Sequence, residues 1–119
     1  MSQEYSDDVM HLDTQVLREL QQLLGDDFPD LVETFLKDST QRIGELELTI
    51  ESTVAEDVRY AAHSFKGSSL NLGAVRLSEL CRQLEEMALH GRLYRSSECL
   101  EQIKVEFDLV AAELQNSLN

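Results

Sequence analysis

A chain of 119 residues, 42% of them hydrophobic, is long enough for one domain with a buried core and too apolar for a disordered segment. The formal net charge of −13 makes nucleic acid and anionic membrane surfaces poor partners. No apolar run approaches the ~20 residues of a membrane span, and the polar N-terminus is unlike a signal peptide, so we expect a cytoplasmic protein.

Apolar residues recur at helical spacing along the chain, and no segment shows the alternation of a strand. Asp13 is a typical helix N-cap. Asp26 to Asp30, with Pro29, marks a second helix start. Glycines at 25, 73 and 91 follow apolar stretches and mark helix ends. We predict helices over about 13–24, 28–51, 54–71, 74–90 and 94–117.

Short loops between long amphipathic helices favour antiparallel neighbours. The predicted fold class is therefore all-α: an antiparallel up-down four-helix bundle formed by the last four helices, with a short additional N-terminal helix packed across it. We expect residues 11–119 to form this single domain, as a monomer, after a flexible N-terminus over residues 1–10.

The third predicted helix carries the most unusual group of residues, His63, Lys66 and Gly67. Residues three apart on a helix are surface neighbours, so His63 and Lys66 share a face, opposite the apolar stripe. A neutral imidazole is a nucleophile, and a fixed cation beside it suits a group that carries negative charge. A glycine next to the lysine removes side-chain bulk where another molecule could approach.

A reactive imidazole also needs an acceptor that holds its other ring nitrogen, and Glu85 of the neighbouring helix is our choice. A carboxylate that binds Nδ1–H leaves Nε2 free to attack. Between residues 59 and 82, four basic residues stand against one acid, which predicts a positive patch around the histidine. We expect Arg59, Leu70 and Arg82 to contact a partner there.

Other chemistry has little support in the sequence. The three histidines are scattered and the cysteines, Cys81 and Cys99, lack the spacing of a zinc site or a redox pair, so we expect no metal site. The serines that follow the histidine are interpreted as small packing residues, because no second histidine makes an evident triad. His11 and His90 receive no function.

The run HSFKGSS at 63–69, followed by LGA at 72–74, Leu77, Cys81 and Leu84-Glu85, resembles the histidine-containing phosphotransfer (HPt) domains of bacterial phosphorelays. The similarity extends upstream to the segment 25–31 and covers roughly residues 12–115. Two departures are Leu70, where smaller residues are common, and a connection at 51–57 that lacks the glycine often found there.

The resemblance implies that His63 receives a phosphoryl group from the receiver-domain aspartate of a hybrid sensor kinase. It would then relay that group to the receiver domain of a response regulator. By the same resemblance Lys66 stabilises the phosphate, Gly67 gives access and Glu85 orients the imidazole. The chain is expected to need no cofactor, since the Mg²⁺ belongs to the receiver. It lacks an ATP-binding motif, so kinase activity of its own is not expected.

Two other hypotheses remain open at this point. One is a non-catalytic helical adaptor that binds a receiver domain without phosphorylation. The other is a small hydrolase with His63 as the base, which is weaker because no partner nucleophile is evident. A chain that starts at methionine without an attached kinase or receiver favours a free-standing carrier.

Overall fold

Residues 10–118 are described by a computed structural model, in which helices account for nearly all of the chain and no strand is present. Short 3₁₀ turns at Gly25–Asp27 and Leu93–Arg95 precede the second and fifth helices. A flexible N-terminus was predicted over residues 1–10, and all of these except residue 10 lie outside the described residues. The helices are α1 (Thr14–Leu24), α2 (Phe28–Ser52), α3 (Ala55–Asn71), α4 (Val75–Leu89) and α5 (Ser96–Ser117).

Helices α2 to α5 form a closed ring. Contacts join α2 to α3, α3 to α4, α4 to α5, and α5 back to α2. The buried side chains come from the apolar face of each helix, as burial of an amphipathic stripe requires. The predicted all-α fold, a four-helix bundle with a short additional N-terminal helix, is confirmed.

Two helix ends differ from the sequence-based expectation. Helix α2 continues to Ser52, and the chain turns at Thr53, whose φ of 58° lies in the left-handed region. A β-branched residue is strained there, and glycine is the residue that this backbone favours. Helix α5 begins at Ser96 rather than near 94, because a 3₁₀ turn precedes it and the Ser96 hydroxyl donates to the Leu93 carbonyl at 2.7 Å.

The chain reverses between α3 and α4 in a turn of three residues, 72–74. The Gly73 N–H donates to the Leu70 carbonyl at 2.9 Å, and the Ala74 N–H donates to the Ser69 carbonyl at 2.9 Å. This pair of bonds is a Schellman motif, which requires a left-handed residue at its centre, and Gly73 has a φ of +76°. The turn therefore depends on a glycine.

The N-terminal helix is tied to this same turn. The Asp13 side chain accepts from the Gln15 and Val16 N–H groups, which confirms it as the N-cap of α1. The Asp13 N–H in turn donates to the Gly73 carbonyl at 2.8 Å. Leu12 and Leu17 are buried in the main core. Helix α1 thus covers the end of the bundle at which α3 becomes α4.

Replacing Gly73 with alanine should destabilise the fold. A Cβ there would lie 3.1 Å from the Val16 Cβ and 3.3 Å from the Asp13 carbonyl oxygen, on a backbone that alanine rarely adopts. We expect a loss of roughly 1–3 kcal/mol in the free energy of unfolding, measured by chemical denaturation. Gly44→Ala is the matched control, because a Cβ at Gly44 meets nothing within 4 Å in the middle of a helix. It should raise stability by about 0.5–1 kcal/mol, and equal losses in both variants would contradict this account of the turn.

Candidate functional site

Helix α3 buries one face, and His63 lies on the opposite one. The fully or nearly buried residues of α3 are Val58, Ala62, Phe65 and Ser69. By contrast, 59% of the His63 side chain is exposed. The helical pattern predicted that His63 is exposed, and the structure confirms it.

The His63 ring and the Lys66 ammonium group share one carboxylate, that of Glu85 in α4. His63 Nδ1 lies 2.7 Å from Glu85 Oε2, and Lys66 Nζ lies 2.8 Å from Glu85 Oε1. An ionised carboxylate only accepts hydrogen bonds, so Nδ1 carries the proton and Nε2 keeps its lone pair. The structure thus brings together three residues that the sequence assigned to one site, and Nε2 is the atom left to react.

The charge of Glu85 is set by these two neighbours. Only 18% of its side chain is exposed, and this burial by itself raises the pKa of the carboxyl. The hydrogen bonds and positive charge of Lys66 and His63 together outweigh burial, so the pKa of Glu85 lies below its ordinary value of 4.5. Glu85 is consequently an anion at neutral pH and remains an acceptor for both groups.

Gly67 follows His63 by one helical turn on the exposed face. A Cβ built on Gly67 would meet no atom within 4 Å, so nothing in this chain packs against the missing side chain. A glycine in a helix interior costs up to about 1 kcal/mol relative to alanine. Packing within the bundle does not explain that cost, and the role of Gly67 in access to His63 stays a prediction.

The predicted positive patch requires a correction. Arg59 pairs with Glu56 at 2.5 Å, and Arg82 pairs with Glu79 at 2.8 Å and Glu86 at 3.0 Å. Two of these acids, Glu56 and Glu86, lie just outside the stretch whose charges were counted along the chain. Helical neighbours three and four residues away supply them, so the surface carries paired charges of both signs. Contact of Arg59 and Arg82 with a partner stays a prediction.

Apolar side chains also lie exposed around the site. Leu70 is exposed, as the sequence predicted. Tyr60 and Leu89 are exposed too, and sequence reasoning did not single them out. Leu89 lines a small depression of about 230 Å³ that Lys66 and Glu85 also line. The sequence could have indicated their exposure, because Tyr60 and Leu89 fall outside the apolar stripes of their helices.

A second histidine–glutamate pair, His11 with Glu106, can be compared with the pair of His63 and Glu85. His11 Nδ1 lies 2.6 Å from Oε2 of Glu106, a buried residue of α5. Among residues 10–118 no lysine or arginine pairs with Glu106, whereas Lys66 completes the site at Glu85. The pair attaches the segment before α1 to α5. That His11 has no function stays a prediction.

Cys81 and Cys99 are both buried and free. Burial raises the pKa of the Cys81 thiol to about 12, so Cys81 is a thiol inside the core, as expected of a small apolar residue. Within the described residues no group of three His, Cys, Asp or Glu side chains is placed to hold a metal ion. The expectation that the chain needs no metal of its own stays a prediction.

Comparison with known proteins identifies the family of this chain. The family model for the Hpt domain matches residues 30–117. Histidine-containing phosphotransfer protein 1 of Arabidopsis thaliana is 32% identical over 110 residues, which cover 87% of this chain and 71% of that protein. Protein 2 of the same plant is 30% identical over 108 residues, with 85% and 69% covered.

The fold is also similar to a solved structure. The crystal structure of histidine-containing phosphotransfer protein B (HptB) from Pseudomonas aeruginosa matches with a TM-score of 0.88 and 40% identity, over 90% of this chain and 93% of that one. This chain belongs to the Hpt domain family. Proteins of the family are phosphocarriers rather than kinases and interact with receiver domains. In the part of the chain described, no helix has the length and hydropathy needed to cross a membrane.

Removing the Glu85 carboxylate should change the tautomer of His63. In the wild type we expect the proton on Nδ1, and in Glu85→Ala a mixture of tautomers, because the acceptor at 2.7 Å is gone. The ¹⁵N chemical shifts of the ring report which nitrogen carries the proton. Glu86→Ala removes a carboxylate from the next residue, which pairs with Arg82, and should leave the ring unchanged.

The pH dependence of stability should reveal the lowered pKa of Glu85. A carboxyl whose pKa is lowered by folding stabilises the protein fully above its ordinary pKa, and this contribution is lost as the pH falls through the native value. The stability difference between wild type and Glu85→Gln should therefore shrink as the pH falls from about 6 through the ordinary pKa of 4.5 and below it. Urea denaturation at each pH measures this difference. Glu33→Gln makes the same charge change at an exposed site without an ion pair among residues 10–118, and its difference should vary less with pH.

Proposed function

We propose that this chain is a phosphocarrier that accepts a phosphoryl group on Nε2 of His63. The donor is the phosphorylated aspartate of a receiver domain in a hybrid sensor kinase, and the acceptor is the aspartate of a response-regulator receiver domain. The observation that carries this proposal is the carboxylate of Glu85, shared by His63 at 2.7 Å and Lys66 at 2.8 Å.

The reaction is a displacement at phosphorus. The Nε2 lone pair forms the new N–P bond, and the acyl phosphate O–P bond of the donor breaks, which leaves the receiver aspartate as a carboxylate. Positive charge develops on the ring as the bond forms. The Nδ1–H group continues to donate its hydrogen bond to Glu85, whose negative charge stabilises the ring at that moment. Transfer to the second receiver is the same step in reverse.

In this proposal Lys66 binds the phosphoryl group without leaving Glu85. A lysine ammonium group has three N–H donors, and the ion pair with Oε1 uses one of them. We expect the remaining donors to bind an anion on Nε2, because His63 and Lys66 lie three residues apart on one face of α3. The Lys66 side chain is 30% exposed, so solvent and an incoming anion have access to it. We place the Mg²⁺ of the reaction on the receiver partner.

Mass spectrometry of intact protein, after incubation with a panel of phosphorylated receiver domains, tests the proposal. The wild type should gain one acid-labile phosphoryl group, and His63→Gln should gain none, because the amide has no nucleophilic lone pair like that of Nε2. His90→Gln is the matched control at another exposed histidine and should be phosphorylated like the wild type. Incubation with ATP alone should give no adduct.

The opposite result has a definite meaning. If receivers bind the chain with equal affinity in wild type and His63→Gln but none transfers a phosphoryl group, the chain is an adaptor and the proposal is wrong. Phosphorylation of His63→Gln at another residue would contradict the assignment of the acceptor.

A further inference from the structure

A groove of about 500 Å³ runs between α2 and α3. Helix α2 contributes Arg42, Glu45 and Leu48 to its lining, and α3 contributes Tyr60 and Ser64. Ser64 is the residue after His63. Tyr60 lies about one turn before His63 on the same helix. The groove therefore begins beside the phosphoryl-accepting histidine, on the side away from α4 and its carboxylate Glu85.

Two large apolar side chains in the lining of this groove are unusually exposed. Leu48 is 69% exposed and Tyr60 is 70% exposed, although both are large side chains. Large exposed apolar groups that face each other across a depression are typical of a contact surface rather than of a solvated one. Tyrosine adds an aromatic face, on which a lysine or arginine side chain can lie.

The charge of the groove is negative. Glu45 and Asp57 line it, and within residues 10–118 neither makes a salt bridge. Glu56 also lines it but is already paired with Arg59. The single basic residue in the lining is Arg42, whose Nε is buried and has no hydrogen-bond partner among the described residues. Two unpaired carboxylates beside two exposed apolar side chains favour a partner that brings positive charge.

The opposite side of His63 has a different character. There the depression between α3 and α4 is lined by Arg59, Lys66 and Arg82, each held by an acidic neighbour. A partner that docks over the histidine thus meets ion pairs on one side and unpaired carboxylates on the other. Such an asymmetric charge pattern selects one orientation of the partner and disfavours the reversed one.

Resting on the proposed function, we propose that the α2–α3 groove binds a positively charged segment of the receiver domain. This segment carries a lysine or arginine beside an aliphatic side chain. Its aliphatic part packs between Leu48 and Tyr60, and its cation pairs with Glu45 and Asp57. The acidic phosphorylation pocket of the receiver then lies over His63, toward Lys66. The groove is continuous with the transfer site, and it sets the orientation in which the receiver docks.

Transfer kinetics from a receiver domain test this proposal. The probe is the phosphorylated receiver that transfers fastest to the wild type in the panel described above. The double variant Glu45→Gln/Asp57→Asn should lower the second-order rate of transfer roughly threefold to tenfold at low salt, and its rate should depend less on ionic strength. Tyr60→Ala should lower the rate roughly twofold to fivefold. Glu33→Gln/Asp38→Asn is the matched control, with the same charge change on exposed residues of α2 outside the groove.

Phosphoramidate separates docking from chemistry. It is a small donor whose P–N bond breaks as ammonia leaves and the N–P bond to His63 forms, and it has no docking surface. We expect the groove variants to react with phosphoramidate at the wild-type rate. A parallel loss with both donors would show that the substitutions disturb His63 itself and would overturn the proposal.

The remaining outcomes are also decisive. Equal transfer from the receiver to wild type and groove variants would overturn the proposal while leaving the proposed function intact. Absence of transfer from every receiver to the wild type would remove the proposed function and this proposal with it. If sedimentation shows that the wild type is a dimer and the groove variants are monomers, with transfer unchanged, the occupant is a second copy of this chain and the proposal is wrong.

Discussion

The carboxylate of Glu85 is the interaction on which the site depends. Each of its oxygens accepts one hydrogen bond, from His63 and from Lys66, so a single group sets the ring tautomer and holds the nearby cation. A largely buried carboxylate would be costly without partners, and both partners come from the neighbouring helix. The site therefore exists only while α3 and α4 are packed in one register.

That register is determined by buried contacts and by the short turn between the two helices. Phe65 of α3 and Leu84 of α4 lie fully buried next to the site residues along the chain. Gly73 permits the tight reversal, and its carbonyl accepts from Asp13, so the N-terminal helix braces the same turn. A shift of one residue would rotate a side chain by about 100° around its helix and would carry the carboxylate away from the ring.

The surface around the histidine departs from what stability alone favours. Tyr60, Leu70 and Leu89 expose apolar area there. The cations near the histidine are paired with acids of the same chain, which limits their attraction for unrelated anions in a protein of net charge −13. Lys66 keeps free donors even so, because its ion pair uses only part of its hydrogen-bonding capacity.

Much of this protein was predictable from its sequence, because helical periodicity, caps and glycine stops are local properties. The helices, the buried faces, the exposure of His63 and the resemblance that joined it to Lys66 and Glu85 all followed from patterns along the chain. The tertiary structure alone decided which charges neighbour one another, and it turned an expected positive patch into ion pairs. It also opened the groove lined by Leu48 and Tyr60, since the relative rotation of two helices depends on packing between residues that are distant in sequence.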